Sequence, residues 1–169
     1  MMPRSFALAG DSPAMSARII VPGVESLTHF VGAEFGPGDW LTVDQARIDA
    51  FAAATGDDQW IHLDAERAQK ESQFGKTVAH GYLTLALGPA LHRKIFQVRN
   101  CSQIVNSGVD KLRLREPVFV GSRLRLSGKI LSVRKMPRSA ARVSFDLRWE
   151  LEGARRPACR AEAVYIYFK

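Results

Sequence analysis

The sequence has few cysteines and lacks a long hydrophobic run. Only two of its 169 residues are cysteines, Cys101 and Cys159, too few for the set of bridges that stabilises a disulfide scaffold. We expect both to be buried thiols in a reducing compartment. No uncharged apolar segment reaches the roughly 18 residues of a membrane-spanning helix. These absences argue against a disulfide scaffold and a membrane protein, and they predict a cytoplasmic location.

The first 23 residues differ in composition from the rest of the chain. They are punctuated by proline, glycine and serine, and they fit neither a secretory signal nor an arginine-rich transit peptide. We predict an N-terminal arm over residues 1–23 and one domain over residues 24–169. A domain of about this size buries roughly two-thirds of the surface of its unfolded chain.

Charge of the two signs is unevenly distributed along the sequence. Residues 1–92 hold 6 Lys and Arg against 11 Asp and Glu, whereas residues 93–169 hold 18 against 6. A basic half indicates either an anionic partner or a solvated basic face. Aromatic residues do not alternate with the basic ones as a base-stacking surface requires, and the glycine patterns of nucleotide-binding loops are missing. We therefore expect no nucleic-acid partner and no cofactor.

Hydrophobic periodicity predicts that helices come first. Residues 42–45 have the pattern of a capping box, in which Thr42 caps a helix that buries Ile48 and Ala52 and ends at Gly56. Asp64 is a plausible cap for a short helix over residues 65–71.

A second long helix is predicted to begin at His80-Gly81. It is apolar nearly all round, which predicts burial on most faces, and Gly88-Pro89 inside it predicts a kink. Beyond residue 98, apolar and polar residues alternate, most clearly over residues 143–151, and this pattern predicts an antiparallel meander. The predicted class is α+β, a curved antiparallel sheet wrapped around a long buried helix.

Asp57 and His62 follow the first helix on a polar turn. A carboxylate and an imidazole at this spacing can face one pocket and hold a water, one group taking its proton and the other delivering a proton to substrate. Taken alone, the pair also fits a surface acid followed by a core histidine.

The stretch around this pair resembles the motif of the MaoC-like dehydratases, the (R)-specific enoyl-CoA hydratases. Gly56-Asp57, Ile61-His62 and Ala79-His80-Gly81 match its order and spacing, and residues 117–123 resemble a strand-turn that follows the central helix. The chain departs from the pattern at Gln59-Trp60, where Asn-Pro is usual. It departs again at Pro89, where some members carry a serine that binds the aspartate. The resemblance covers about residues 35–168.

The resemblance implies a single hot-dog fold and the reversible addition of water across the C2–C3 double bond of an enoyl-CoA, giving an (R)-3-hydroxyacyl thioester. It implies that Asp57 and His62 hold the water, without saying which is the base. It implies that the Gly81 N–H stabilises charge on the thioester oxygen and that no metal is needed. We interpret His80 as structural.

Five further residues are expected to bind substrate: Gln59, Trp60, Tyr82, Asn106 and Arg123. Asn106 fits an acyl pocket or a supporting position, while Arg113, Arg115 and Arg123 fit either the CoA phosphates or a solvated strand face. A homodimer is expected because open sheet edges invite pairing. An acyl-CoA thioesterase of the same fold and a non-catalytic acyl-CoA-binding subunit stay open as alternative functions.

Overall fold

The structure, a computed structural model, describes residues 17–169. Its helices are α1 (Gln45–Thr55), α2 (Trp60–Leu63), α3 (Ala65–Glu71), α4 (Gly81–Ala86) and α5 (Gly88–Ile95), preceded by a 3₁₀ helix at Val24–Phe30. Its strands are β1 (Ile19–Val21), β2 (Glu34–Phe35), β3 (Leu41–Thr42), β4 (Phe96–Val98), β5 (Gln103–Leu114), β6 (Arg123–Met136), β7 (Ala140–Leu151) and β8 (Cys159–Phe168). The helices precede the four long strands, as the periodicity predicts.

One antiparallel sheet carries the long strands. Its order is β2-β6-β7-β8-β5, and β3 also pairs with β6. The predicted meander is correct for β6, β7 and β8, which pair in succession, but β5 instead crosses to the far side and pairs with β8. This crossing leaves β5 at the edge of the sheet. The short strands β1 and β4 form a separate parallel pair.

The helix against the inner face of the sheet is α4 followed by α5. The two are separated only at Leu87, next to the predicted kink, and the inner side is packed on the sheet through Leu83, Leu87 and Leu91. The prediction of burial on most faces is wrong for the outer side, where Tyr82 is 70% exposed. The sheet covers the helix from one side, and the other side faces outward.

Local signals place the ends of the helices. Asp44 caps α1, its carboxylate accepting a hydrogen bond from the Arg47 N–H at 2.9 Å. The predicted capping box is wrong, because Thr42 lies in β3 and the Gln45 side chain binds elsewhere. The end of α1 is confirmed, since Gly56 adopts a left-handed conformation with φ of 75°.

The predicted arm reaches the domain within the described residues. Residues 1–16 lie outside them, whereas Ile19–Val21 pair with Phe96–Val98 and Val21 is fully buried. Cys101 and Cys159 are free thiols, as expected, but burial is confirmed only for Cys159, whereas Cys101 is half-buried. Within residues 17–169, no helix is long and apolar enough to cross a membrane.

Candidate active site

Asp57 and His62 lie on the turns that follow α1. The left-handed Gly56 reverses the chain, so that Asp57 begins a short loop and α2 carries His62 back beside α1. The Gln45 amide of α1 donates to the His62 carbonyl at 2.8 Å. His62 is buried and Asp57 is not. The packing of α2 on α1 therefore brings the two residues close together, as the sequence predicts.

Gln45 joins three segments around the site. Besides its bond to His62, it accepts a hydrogen bond from the Thr77 hydroxyl at 2.8 Å. The capping box predicted for residues 42–45 does not include this role of Gln45. No local pattern reveals it, because its partners are 17 and 32 residues away.

Residues 77–80 form a buried extended segment that reaches the start of α4. The Ala79 N–H donates to the Val118 carbonyl at 2.7 Å, and the Val120 N–H donates to the Thr77 carbonyl at 3.1 Å. On the other side, the Val78 N–H donates to the Ile61 carbonyl at 3.1 Å. The segment is thus fixed between α2 and the turn before β6, and it delivers His80 and Gly81 to the site.

The ring of His62 is held in one tautomer. Its Nδ1 lies 2.5 Å from the Val78 carbonyl oxygen. A carbonyl only accepts hydrogen bonds, so Nδ1 carries the proton and donates it. In the neutral ring, Nε2 therefore presents a lone pair that can accept a proton.

His80 contacts both members of the predicted pair. Its Nε2 lies 2.9 Å from the Asp57 carbonyl oxygen, and its ring stacks on His62 with 3.7 Å between centroids. One carboxylate oxygen of Asp57 and one ring nitrogen of each histidine lie within 4.8 Å of one another. The structure thus brings Asp57 and His62 together, as predicted, and adds His80 to them.

These three residues have the composition of a metal site, but the two histidine rings are not oriented as ligands of one ion. Imidazole binds a metal through a lone pair in the plane of the ring, and the two rings are stacked with 27° between their planes. Their lone pairs therefore do not converge as the ligands of a tetrahedral ion do.

Gly81 is the first residue of α4. Its N–H belongs to the first turn, where N–H groups have no acceptor within the helix and lie at the positive end of the helix dipole. A Cβ at this position would lie 2.4 Å from Cδ1 of Leu114. Glycine therefore allows the end of β5 to approach the start of the helix, next to His80.

A family model described as the MaoC like domain matches residues 27–145. The chain belongs to this family. The 3-hydroxyacyl-thioester dehydratase Z of Mycobacterium tuberculosis is 39% identical over 144 residues, which cover 85% of this chain and 95% of that protein. Nodulation protein N of Rhizobium leguminosarum bv. viciae is 40% identical over 139 residues, 80% of this chain and 85% of that protein.

A solved structure gives the same fold. The R-hydratase PhaJ1 of Pseudomonas aeruginosa, in its unliganded form, has a TM-score of 0.62 and 25% identity, with 82% of each chain covered. The predicted family, the hot-dog fold and the assignment to the hydro-lyases are confirmed. The protein is a MaoC-like hydro-lyase.

Three of the predicted substrate-binding residues of this MaoC-like chain adjoin the pair. The Gln59 carbonyl accepts a hydrogen bond from the His62 N–H at 3.0 Å. Trp60 is the first residue of α2, and the Arg67 guanidinium lies 4.3 Å from the centroid of the Trp60 ring. Tyr82 follows Gly81 and is exposed.

The other two lie elsewhere. Asn106 lines a groove of about 530 Å³ together with Pro89, His92 and Tyr165. Arg123 is hydrogen-bonded to Glu152, and this contact lowers the pKa of the Glu152 carboxyl below its usual value. The charge of Arg123 is thus already compensated within the chain.

Proposed function

We propose that this protein reversibly hydrates trans-2-enoyl-CoA to (R)-3-hydroxyacyl-CoA. One observation carries the proposal: a carboxylate oxygen of Asp57 and a ring nitrogen of His62 lie within 4.8 Å of each other. A water that makes two hydrogen bonds of about 2.8 Å spans about 4.6 Å between its two partners. The 4.8 Å limit therefore leaves room for one water to contact both side chains.

The bound water supplies both groups that are added, a hydroxyl and a hydrogen. Its oxygen forms a bond to C3 of the enoyl group while one of its protons moves to Nε2 of His62 or to the Asp57 carboxylate. The electron pair of the C2–C3 double bond shifts toward the thioester oxygen. Return of a proton from the pair to C2 completes the addition on the same face, and the reverse sequence removes water.

Charge that develops on the thioester oxygen needs a donor, and the Gly81 N–H is the candidate. It lies on the peptide directly after His80, at the start of α4. A single donor of this kind contributes on the order of 10²–10³ in rate.

The groove beside Asn106 is our candidate for the acyl chain. Pro89 lies eight residues after Gly81, or about 12 Å along the helix at about 1.5 Å per residue. An acyl group bound with its thioester at Gly81 would follow α4 toward this groove. The thioester class is supported by the name of the M. tuberculosis relative.

For the CoA phosphates, Arg113 and Arg115 are better candidates than Arg123. Both are exposed on or just after β5, and within residues 17–169 neither has a carboxylate partner. Free guanidinium groups suit phosphate, which they bind with two parallel hydrogen bonds.

We also propose that two copies associate through β5. This strand pairs only with β8 in the described part of the sheet, and it exposes the apolar side chains of Ile104, Val105, Val109 and Leu114. An exposed apolar edge strand is a template for pairing with another chain. A second copy would cover this edge close to the start of α4.

The test is loss of the ultraviolet absorbance of the conjugated thioester when trans-2-enoyl-CoA is added. Asp57→Asn and His62→Gln should each reduce kcat by about 10²–10⁴, because each removes a group that transfers or orients a proton. Melting temperatures close to wild type would show that the variants fold. Activity within threefold of wild type in either variant would overturn the assignment.

The same preparation separates the alternative functions. A thioesterase would release free thiol from a saturated acyl-CoA, which has no double bond to hydrate. A non-catalytic subunit would bind the thioester and return it unchanged, and Asp57→Asn would alter that binding little.

A further inference from the structure

His80 lies between the two residues proposed to hold the water. Its side chain is 98% buried, with only 2% of the residue exposed. One edge of the ring contacts the backbone of Asp57, and one face contacts His62. The centroid of the Phe51 ring lies 5.0 Å from that of the His80 ring. No other described side chain contacts both Asp57 and His62 in this way.

The proton positions on the two rings follow from their partners. His80 Nε2 faces the Asp57 carbonyl at 2.9 Å, so Nε2 is the protonated nitrogen. His80 Nδ1 is buried without a hydrogen-bond partner among the described residues, which agrees, because a buried N–H without an acceptor is costly. His62 is protonated on Nδ1. The two stacked rings are therefore opposite tautomers.

The loop that carries Asp57 has few other anchors. The Asp57 N–H reaches the Thr55 hydroxyl only at 3.4 Å, and residues 56–59 lie in no helix or strand. Of these two backbone contacts of Asp57, the hydrogen bond from His80 to the carbonyl is the shorter, at 2.9 Å. It fixes the Asp57 backbone relative to the same ring on which His62 rests.

We infer that His80 is a positioning residue: its Nε2–H holds the Asp57 peptide, and its ring face supports His62, so that His80 sets the gap that the water occupies. The inference rests on the proposed function. A purely structural role would need only a buried ring of this size. The positioning role needs the N–H at one edge.

Two substitutions separate these roles. His80→Gln places an amide N–H near the position of Nε2 and removes the ring. His80→Phe keeps the ring against His62 and Phe51 but has no N–H. We expect His80→Phe to reduce kcat about 100-fold with KM changed less than threefold, because a displacement of about 1 Å costs about 10² in rate. We expect His80→Gln to keep at least tenfold more activity than His80→Phe.

The matched controls are His29→Gln and His29→Phe, because His29 is exposed and lies outside the site. Melting temperatures of all variants report folding. A folded His80→Phe as active as His80→Gln, or more active, would overturn the inference.

A measurement on the unmodified protein does not depend on the variants folding. The ¹⁵N chemical shifts of the histidine rings distinguish the tautomers, and we expect a protonated Nε2 in His80 and a protonated Nδ1 in His62 at neutral pH. A protonated Nδ1 in His80 would overturn the inference. The chemical shifts are measured without substrate, so they decide the position of the His80 proton whether or not the protein hydrates enoyl-CoA. A wild-type protein that does not hydrate enoyl-CoA would disprove the proposed function instead.

Discussion

His92 is an ionisable residue inside an aromatic core. Its ring stacks on Tyr165 with 5.2 Å between centroids and 6° between planes, and it also packs against Phe35, Phe96 and Phe145. Burial lowers the pKa of His92 from 6.5 to about 3. The residue therefore forms a neutral wall of the groove beside Asn106.

This burial makes stability depend on pH. Between pH 6.5 and 3 the unfolded chain binds a proton at His92 that the folded chain does not, so stability falls as the pH falls. We expect this residue to account for a loss of about 1.4 kcal/mol between pH 7.5 and 5.5. His92→Phe should remove that part of the loss, as measured by urea unfolding at the two pH values.

Comparing the wild type with His92→Phe at these two pH values separates the effect of His92 on stability from that of the acidic groups. Burial raises the pKa of Asp146, but hydrogen bonds from Arg160 outweigh this effect and hold the pKa below its ordinary value. The contribution of Asp146 to the free energy of unfolding is therefore lost only as the pH falls below the ordinary range of aspartate. Equal pH dependence in the wild type and in His92→Phe would contradict the prediction.

Among the elements, α5 approaches the sheet most closely at Gly88. A Cβ there would lie 2.4 Å from the ring of Trp149, which is 1% exposed and has no room to move. Glycine is normally unfavourable inside a helix by about 1 kcal/mol relative to alanine. Here the close contact with β7 outweighs that preference.

Gly88→Ala should therefore destabilise the protein although alanine favours a helix. Overpacking of a core costs about 1–3 kcal/mol, and we expect a net loss of about 1–2 kcal/mol in the free energy of unfolding. The matched control is Gly108→Ala in β5, where a Cβ would lie 4.0 Å from Val164. A Gly88→Ala variant more stable than the wild type would show that the helix is free to move off the sheet.

On the scale of the whole molecule, β5 is the open side of the fold. If it pairs with a second copy, light scattering at micromolar concentration should give twice the chain mass of 18.7 kDa. Val109→Lys should shift the mass toward that of one chain, because the two-fold axis of a dimer brings like charges near each other on the paired edges.

Leu131→Lys is the control for this prediction. Leu131 is 39% exposed but lies on β6, away from the β5 edge of the described sheet. A monomer in the wild type would contradict the proposal, as would an equal effect of the two substitutions.

The basic half of the chain is partly compensated where it forms the sheet. Arg160 pairs with Asp146, Arg125 with Glu150 and Arg156 with Glu116. Part of the excess of positive charge that the sequence shows in residues 93–169 is therefore neutralised within the chain. What remains available for an anion on β5 and just beyond it is the pair Arg113 and Arg115.

The sequence alone determined the features that depend on near neighbours. The end of α1 at Gly56 and the cap of α3 at Asp64 involve partners three or four residues away, and the strand pattern of β7 follows from its alternation of buried apolar side chains. The pairing of Asp57 with His62 could also be predicted, because the two residues are only five positions apart in the chain.

Only the tertiary structure decided the contacts that make these residues a site. His80 reaches Asp57 across 23 residues, and Gln45 reaches Thr77 across 32. The pairing of β5 with β8 likewise joins strands that are far apart in the chain. Such contacts depend on how the elements pack, and a glutamine or histidine that makes them has the same local surroundings as one that does not.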